Sequence, residues 1–178
     1  MLRVIIEILP NGHRELRRTI ASMAICNTSN LADVSDYGID AVEAANPLTG
    51  TPSRSTSCKV LRHDRRQSVW TLLAKAAAEI EKPSSMSFDL PDLCDEVHVG
   101  VDLVPFGMER RREGIAALRV SAIGDDGGIL IEGFEAGPAG NGSTIRKARI
   151  APHGRNQSIW TLIANAAYAL SHAKFDEV

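Results

Sequence analysis

One helix-like segment occurs twice in this chain, and that repetition constrains what the chain can fold into. From His63 the sequence reads H-D-R-R-Q-S-V-W-T-L-L-A-K-A-A-A-E-I, and from His153 it reads H-G-R-N-Q-S-I-W-T-L-I-A-N-A-A-Y-A-L. At this offset of 90 residues, 10 of 18 positions are identical: His63, Arg65, Gln67, Ser68, Trp70, Thr71, Leu72, Ala74, Ala76, Ala77 and their partners. Self-similarity at a fixed offset marks a duplicated unit. The chain is therefore read as two related halves.

In the first copy Trp70, Leu73, Ala77 and Ile80 fall at helical spacing, as do Trp160, Ile163, Ala167 and Leu170 in the second. Each set forms an apolar stripe wide enough to cover a sheet. Asp64 with Gln67, and Gly154 with Gln157, stand where a helix start with a capping box is expected. A tryptophan on such a stripe anchors its helix to its own sheet, whereas an exposed one would be a platform for stacked bases.

The rest of each half reads as strands. Leu2–Leu9 is β-branched and partly alternating, and Pro10-Asn11-Gly12 supplies a turn. Further strands are expected at about Glu15–Cys26, Val34–Ala44 and Cys58–Leu61, with Ala45–Ser57 as a long loop. The second half repeats the order with Val97–Val104, Gly114–Ile123, Ile129–Ala136 and Thr144–Ile150. There Phe134-Glu135-Ala136 answers Val42-Glu43-Ala44. The expected fold is α+β: a tandem duplication of a ββββα unit, each four-stranded antiparallel sheet covered by one helix, the two units related by a pseudo-twofold axis. The units span residues 1–82 and 97–178, with 83–96, rich in Pro and Ser, as a linker.

Function is less constrained. No recurrent Cys, Ser or carboxylate stands beside His63 or His153 to complete a nucleophile system, so no enzyme activity is expected. The five His and three Cys lack metal-ligand spacing, Asp125-Asp126-Gly127-Gly128 lacks the ligand ladder of a calcium loop, and no cofactor is implied. Cys26, Cys58 and Cys94 lie far apart and read as reduced thiols, and no apolar run is long enough to span a bilayer. A cytoplasmic protein with no membrane partner is the expectation.

The net charge of −2 gives no global field for a polyanion, and aromatic residues make up only 4% of the chain, too few for a broad stacking surface. Local clusters of cations nevertheless recur. Arg17 and Arg18 stand against Arg111 and Arg112 at the start of the second strand of each half. Lys59, Arg62 and Arg65 stand against Arg146, Lys147, Arg149 and Arg155 around the fourth strand and the helix start. If the exposed faces align, these eleven residues form two basic stripes able to meet phosphates. The alternative is solvated strands whose charges discourage edge pairing.

By element order, two ββββα units resemble the Whirly transcription factors and the dimeric coactivator family of positive cofactor four. That resemblance implies single-stranded DNA binding on curved sheets, and it carries over no site residue. The opening strand at Val4–Ile8 and the S-V-W-T-L-L helix start at Ser68–Leu73 are also similar to small uncharacterised phage and prophage proteins, for which no activity is implied. Two functions follow as expectations. One is binding of single-stranded DNA or RNA through basic sheet faces. The other is a protein-interaction or assembly module, a homo-oligomer or a phage accessory protein or inhibitor of a host system, that uses the open sheet or a strand edge.

Overall fold

Alternating β-branched residues build strands, and in a computed structural model of the chain they build one sheet. The structure describes all residues except 28–33, 44–53, 65–66, 82–95, 106–107, 124–127, 137–142, 152–157, 174 and 177–178. The first half gives β1 (Leu2–Leu9), β2 (Arg18–Asn27), β3 (Val34–Glu43), β4 (Arg54–Asp64) and α1 (Val69–Glu81). The second gives β5 (Glu96–Leu103), β6 (Glu113–Ile123), β7 (Gly128–Ala136), β8 (Ser143–Ile150) and α2 (Ile159–His172), followed by a short β9 (Phe175–Asp176). Glu96, assigned to the linker by sequence, opens β5.

The strand order is β4-β3-β2-β1-β5-β6-β7-β8-β9, antiparallel throughout. This corrects the expectation of two separate sheets, because β1 and β5 pair along their whole length, from Leu2↔Leu103 to Leu9↔Glu96. The physical reason is edge satisfaction. Separate sheets would each leave an apolar edge strand with a row of unpaired N–H and C=O groups, and pairing the two removes both edges. Pairing also aligns side chains. Val4↔Val101, Ile6↔Val99 and Ile8↔Val97 sit directly opposite one another, all buried on the same face.

Both helices lie on that face and pack against each other. Ala76, Ala77, Ala166 and Ala167 are fully buried, so the helices can approach closely. Isolated helices of this length are marginal in water, and burial of the apolar stripe stabilises them here. The helix starts differ from the expectation. β4 runs through Asp64, and α1 begins at Val69 after Ser68, whose Oγ accepts from the Thr71 amide at 3.4 Å. In α2 the Ser158 Oγ accepts from the Thr161 amide at 3.2 Å. The repeated Q-S-x-W-T is thus largely a capping sequence: Ser at the N-cap, Thr at the third helical position. Asp64 lies in β4 and opens no capping box with Gln67, and the second expected box, Gly154 with Gln157, lies outside the described residues.

Both indoles are fully buried, but neither simply holds its helix to its own strands. Trp160 of α2 donates from Nε1 to Oε1 of Glu43 on β3, at 2.7 Å. Trp70 of α1 lies over Gly133 on β7, where a Cβ would come within 3.0 Å of Cζ2 of the indole and 2.7 Å of Leu170 Cδ1. Only glycine accommodates that approach. Each tryptophan therefore crosses to the opposite half, and the helix pair locks the two halves together.

Candidate functional site

Among the described residues no helix lies on the opposite face of the sheet, a broad surface that the core does not use. Side chains alternate along a strand, so residues flanking the buried ones point the other way. Cross-strand registers arrange them in three transverse rows. The middle row runs Ser55–Val42–Ser22–Ile5–Gly100–Ala117–Phe134–Ile145, small or apolar from β4 to β8. None of its apolar members belongs to the core cluster.

On one side stands a polar row, Thr19–Glu7–His98–Arg119–Glu132–Lys147. Arg119 is ion-paired with Glu132, and Lys147 Nζ lies 3.8 Å from Glu132 Oε1. His98 Nε2 is 2.9 Å from Glu96 Oε2. On the other side stands Ser57–Asp40–Ala24–Arg3–Asp102. Ser57 Oγ donates to Asp40 at 2.6 Å, and Arg112 Nε lies 3.5 Å from Asp102 Oδ2. Arg3 grips Glu109 through both of its Nη atoms, one contact measuring 2.8 Å. That hydrogen bond lowers the Glu109 carboxyl below its ordinary range and raises the Arg3 guanidinium. On this face Arg119 and Lys147 thus share Glu132, Arg3 meets Glu109 and Asp102 meets Arg112.

The predicted basic stripes do not assemble as expected. Arg17 and Arg18 are exposed at the Leu9 end of β1, Arg18 directly opposite Ile8. Arg111 and Arg112 are also exposed, but they follow Leu103, which pairs with Leu2 at the other end of the same ladder. Antiparallel pairing of β1 with β5 therefore sets the two arginine pairs at opposite ends of eight-residue strands, roughly 25 Å apart. Arg146 is not on a surface stripe: at 6% exposure it points toward the helices. Its Nη1 donates to the Leu170 carbonyl at the end of α2, at 3.1 Å, and its Nε lies 3.5 Å from Glu135 Oε1. A buried cation there complements the helix C-terminus. Lys147 and Arg149 do point outward on β8. Lys59 and Arg62 lie on β4, Lys59 opposite Gly38, while Arg65 and Arg155 fall outside the described residues.

The sequence reading missed the roles of two strand carboxylates, the buried Glu43 and the half-buried Glu135. Glu43 and Glu135 occupy the same point in each half, and a carboxylate recurring in an apolar strand was the available signal. Glu43 receives Trp160; Glu135 is engaged by Arg146, and the buried Trp70 Nε1 has no acceptor among the described residues. Among the described residues no group of three or more His, Cys, Asp or Glu could hold a metal ion, and no helix is long and apolar enough to cross a membrane. No protein-family model matches this chain, and neither does any curated protein or solved structure compared with it.

Proposed function

We propose that the chain is a non-enzymatic interaction module whose helix-free sheet face docks another protein. The observation that carries this reading is the charge matching on that face. Four cations of that face, Arg119, Lys147, Arg112 and Arg3, are met by three carboxylates, Glu132, Asp102 and Glu109, which reduces the positive potential offered to phosphates, while a row of small and apolar residues runs between the charged ones. Apolar centre and charged flanks are the anatomy of a protein–protein patch. We further read the two ββββα halves as copies of one unit about a pseudo-twofold axis. In support, β1 and β5 pair antiparallel without slippage, and the Ser caps and buried Trp residues recur at the offset of 90.

A titration of fluorescently labelled random single-stranded DNA at low salt separates this from the nucleic-acid reading. A sheet that neutralised several phosphates would bind there strongly and lose affinity steeply as salt rises. The expected result is no binding. Salt-sensitive binding that is weakened by Arg17→Ala and Arg111→Ala would replace protein docking with single-strand binding.

A further inference from the structure

We infer that the occupant of the open face is a second copy of this chain, an inference that rests on the protein-docking reading. Four residues at the centre carry the argument. Arg3 and Asp102 are directly paired across the β1–β5 ladder, and so are Glu7 and His98. Ile5 and Gly100 form the pair between them. Donors and acceptors therefore alternate at the corners of a square: Arg3 diagonal to His98, Asp102 diagonal to Glu7.

That checkerboard is complementary to itself, and because Arg3, Asp102 and His98 are also held by Glu109, Arg112 and Glu96 within each copy, two copies can meet there without net repulsion. A twofold axis in the plane of the face and across the strands brings Arg3 over the partner's Glu7, and Asp102 over the partner's His98. An axis along the strands brings Arg3 over the partner's Asp102 and Glu7 over the partner's His98. Either orientation lays the apolar row on its own copy, as an isologous dimer interface requires. Face-to-face sheets of this kind pack about 10 Å apart.

Gly100 supplies a second observation. A Cβ there would meet nothing within 4 Å, so nothing inside the chain requires glycine, and its backbone conformation is not left-handed. Glycine costs a strand interior stability, and at the centre of this face it leaves room for the close approach of another backbone. The area suffices as well. Eight strands at about 4.8 Å spacing and some five residues of each cover roughly 700 Å² per copy. Two such faces reach about 1,400 Å², within the range of stable specific interfaces.

Light scattering on the full chain during size exclusion tests this. The native protein is expected at twice the chain mass of 19.2 kDa. Gly100→Arg should return it to 19.2 kDa with an unchanged far-ultraviolet circular dichroism spectrum, since the new side chain has open space on its own subunit, while its melt falls by the stabilisation that association supplies. Phe134→Asp should act the same way, and Asn165→Arg, exposed on α2 on the opposite side of the sheet, should leave the dimer intact. A dimer that survives both Gly100→Arg and Phe134→Asp overturns the inference, as does a native monomer at every concentration. In the monomer case the single-strand titration tells the failures apart. No binding removes the second copy alone, whereas binding removes the docking reading too.

Discussion

The bond from Trp160 to Glu43 ties α2 to a strand of the other half, and its contribution can be isolated because Trp70 lacks it. Trp160→Phe and Trp70→Phe remove the same atoms from fully buried sites. Only the first also removes a donor from Glu43, which is 5% exposed and accepts the indole N–H at 2.7 Å. A hydrogen bond to a charged group is worth about 1.5–3 kcal/mol. Trp160→Phe should therefore cost that much more than Trp70→Phe. In a chain of this size, about 2–4 °C of melting temperature corresponds to each kcal/mol, so the two variants should melt about 3–12 °C apart. Urea unfolding followed by circular dichroism gives the free energies, and combining Trp160→Phe with Glu43→Gln closes a double-mutant cycle. Equal losses for the two Phe variants, with no coupling in the cycle, would refute the claim that this bond fastens the halves together.

Three other outcomes follow from the same contacts. Gly133→Ala drives a methyl toward Leu170 and Trp70 and should destabilise by about 1–3 kcal/mol, with part of the loss relieved when Leu170→Ala is added, as read by denaturant melts. Arg146→Met breaks a buried ion pair and strips the α2 terminus of its donor, costing about 3 kcal/mol, while Lys147→Met beside it should stay within about 0.5 kcal/mol. Because the Arg3 contact lowers the Glu109 carboxyl, its stabilisation is fully present above the ordinary carboxylate range and fades as pH falls through the lowered value. An NMR titration should show Glu109 protonating at lower pH in the native protein than in Arg3→Ala, and coincident curves would count against the contact.

How much of this was legible in the sequence depended on range. β1, β5 and β7 were readable because alternation is local, and both helices because Trp, Leu and Ala recur with helical period. β4 was read too short: Ser55, Thr56 and Ser57 look like loop residues, yet they form an outer strand whose outward side chains meet water. β9 is two residues long and carries no periodic signal. The joining of β1 to β5 links positions nearly 100 residues apart, and strand pairing leaves no mark on spacing. The crossing of the indoles is hidden for the same reason. Among the site residues, the clustering of arginines was visible, but their partners were not. Glu132 is matched to Arg119 and Lys147 only by cross-strand register, and Arg146 looks identical in sequence to the outward Arg149.

The accessibility of Ser22, in the middle row of the open face, tests its docking role most directly. With Ser22→Cys as the sole cysteine, a near-isosteric change, the rate of alkylation reports whether that face is covered in the assembled protein. The account predicts slow reaction at high protein concentration, rising toward the rate of a free thiol on dilution or on introducing Phe134→Asp. Fast alkylation at every concentration, unaffected by Phe134→Asp, would mean that the face is bare and that its apolar row has no protein partner in this assembly.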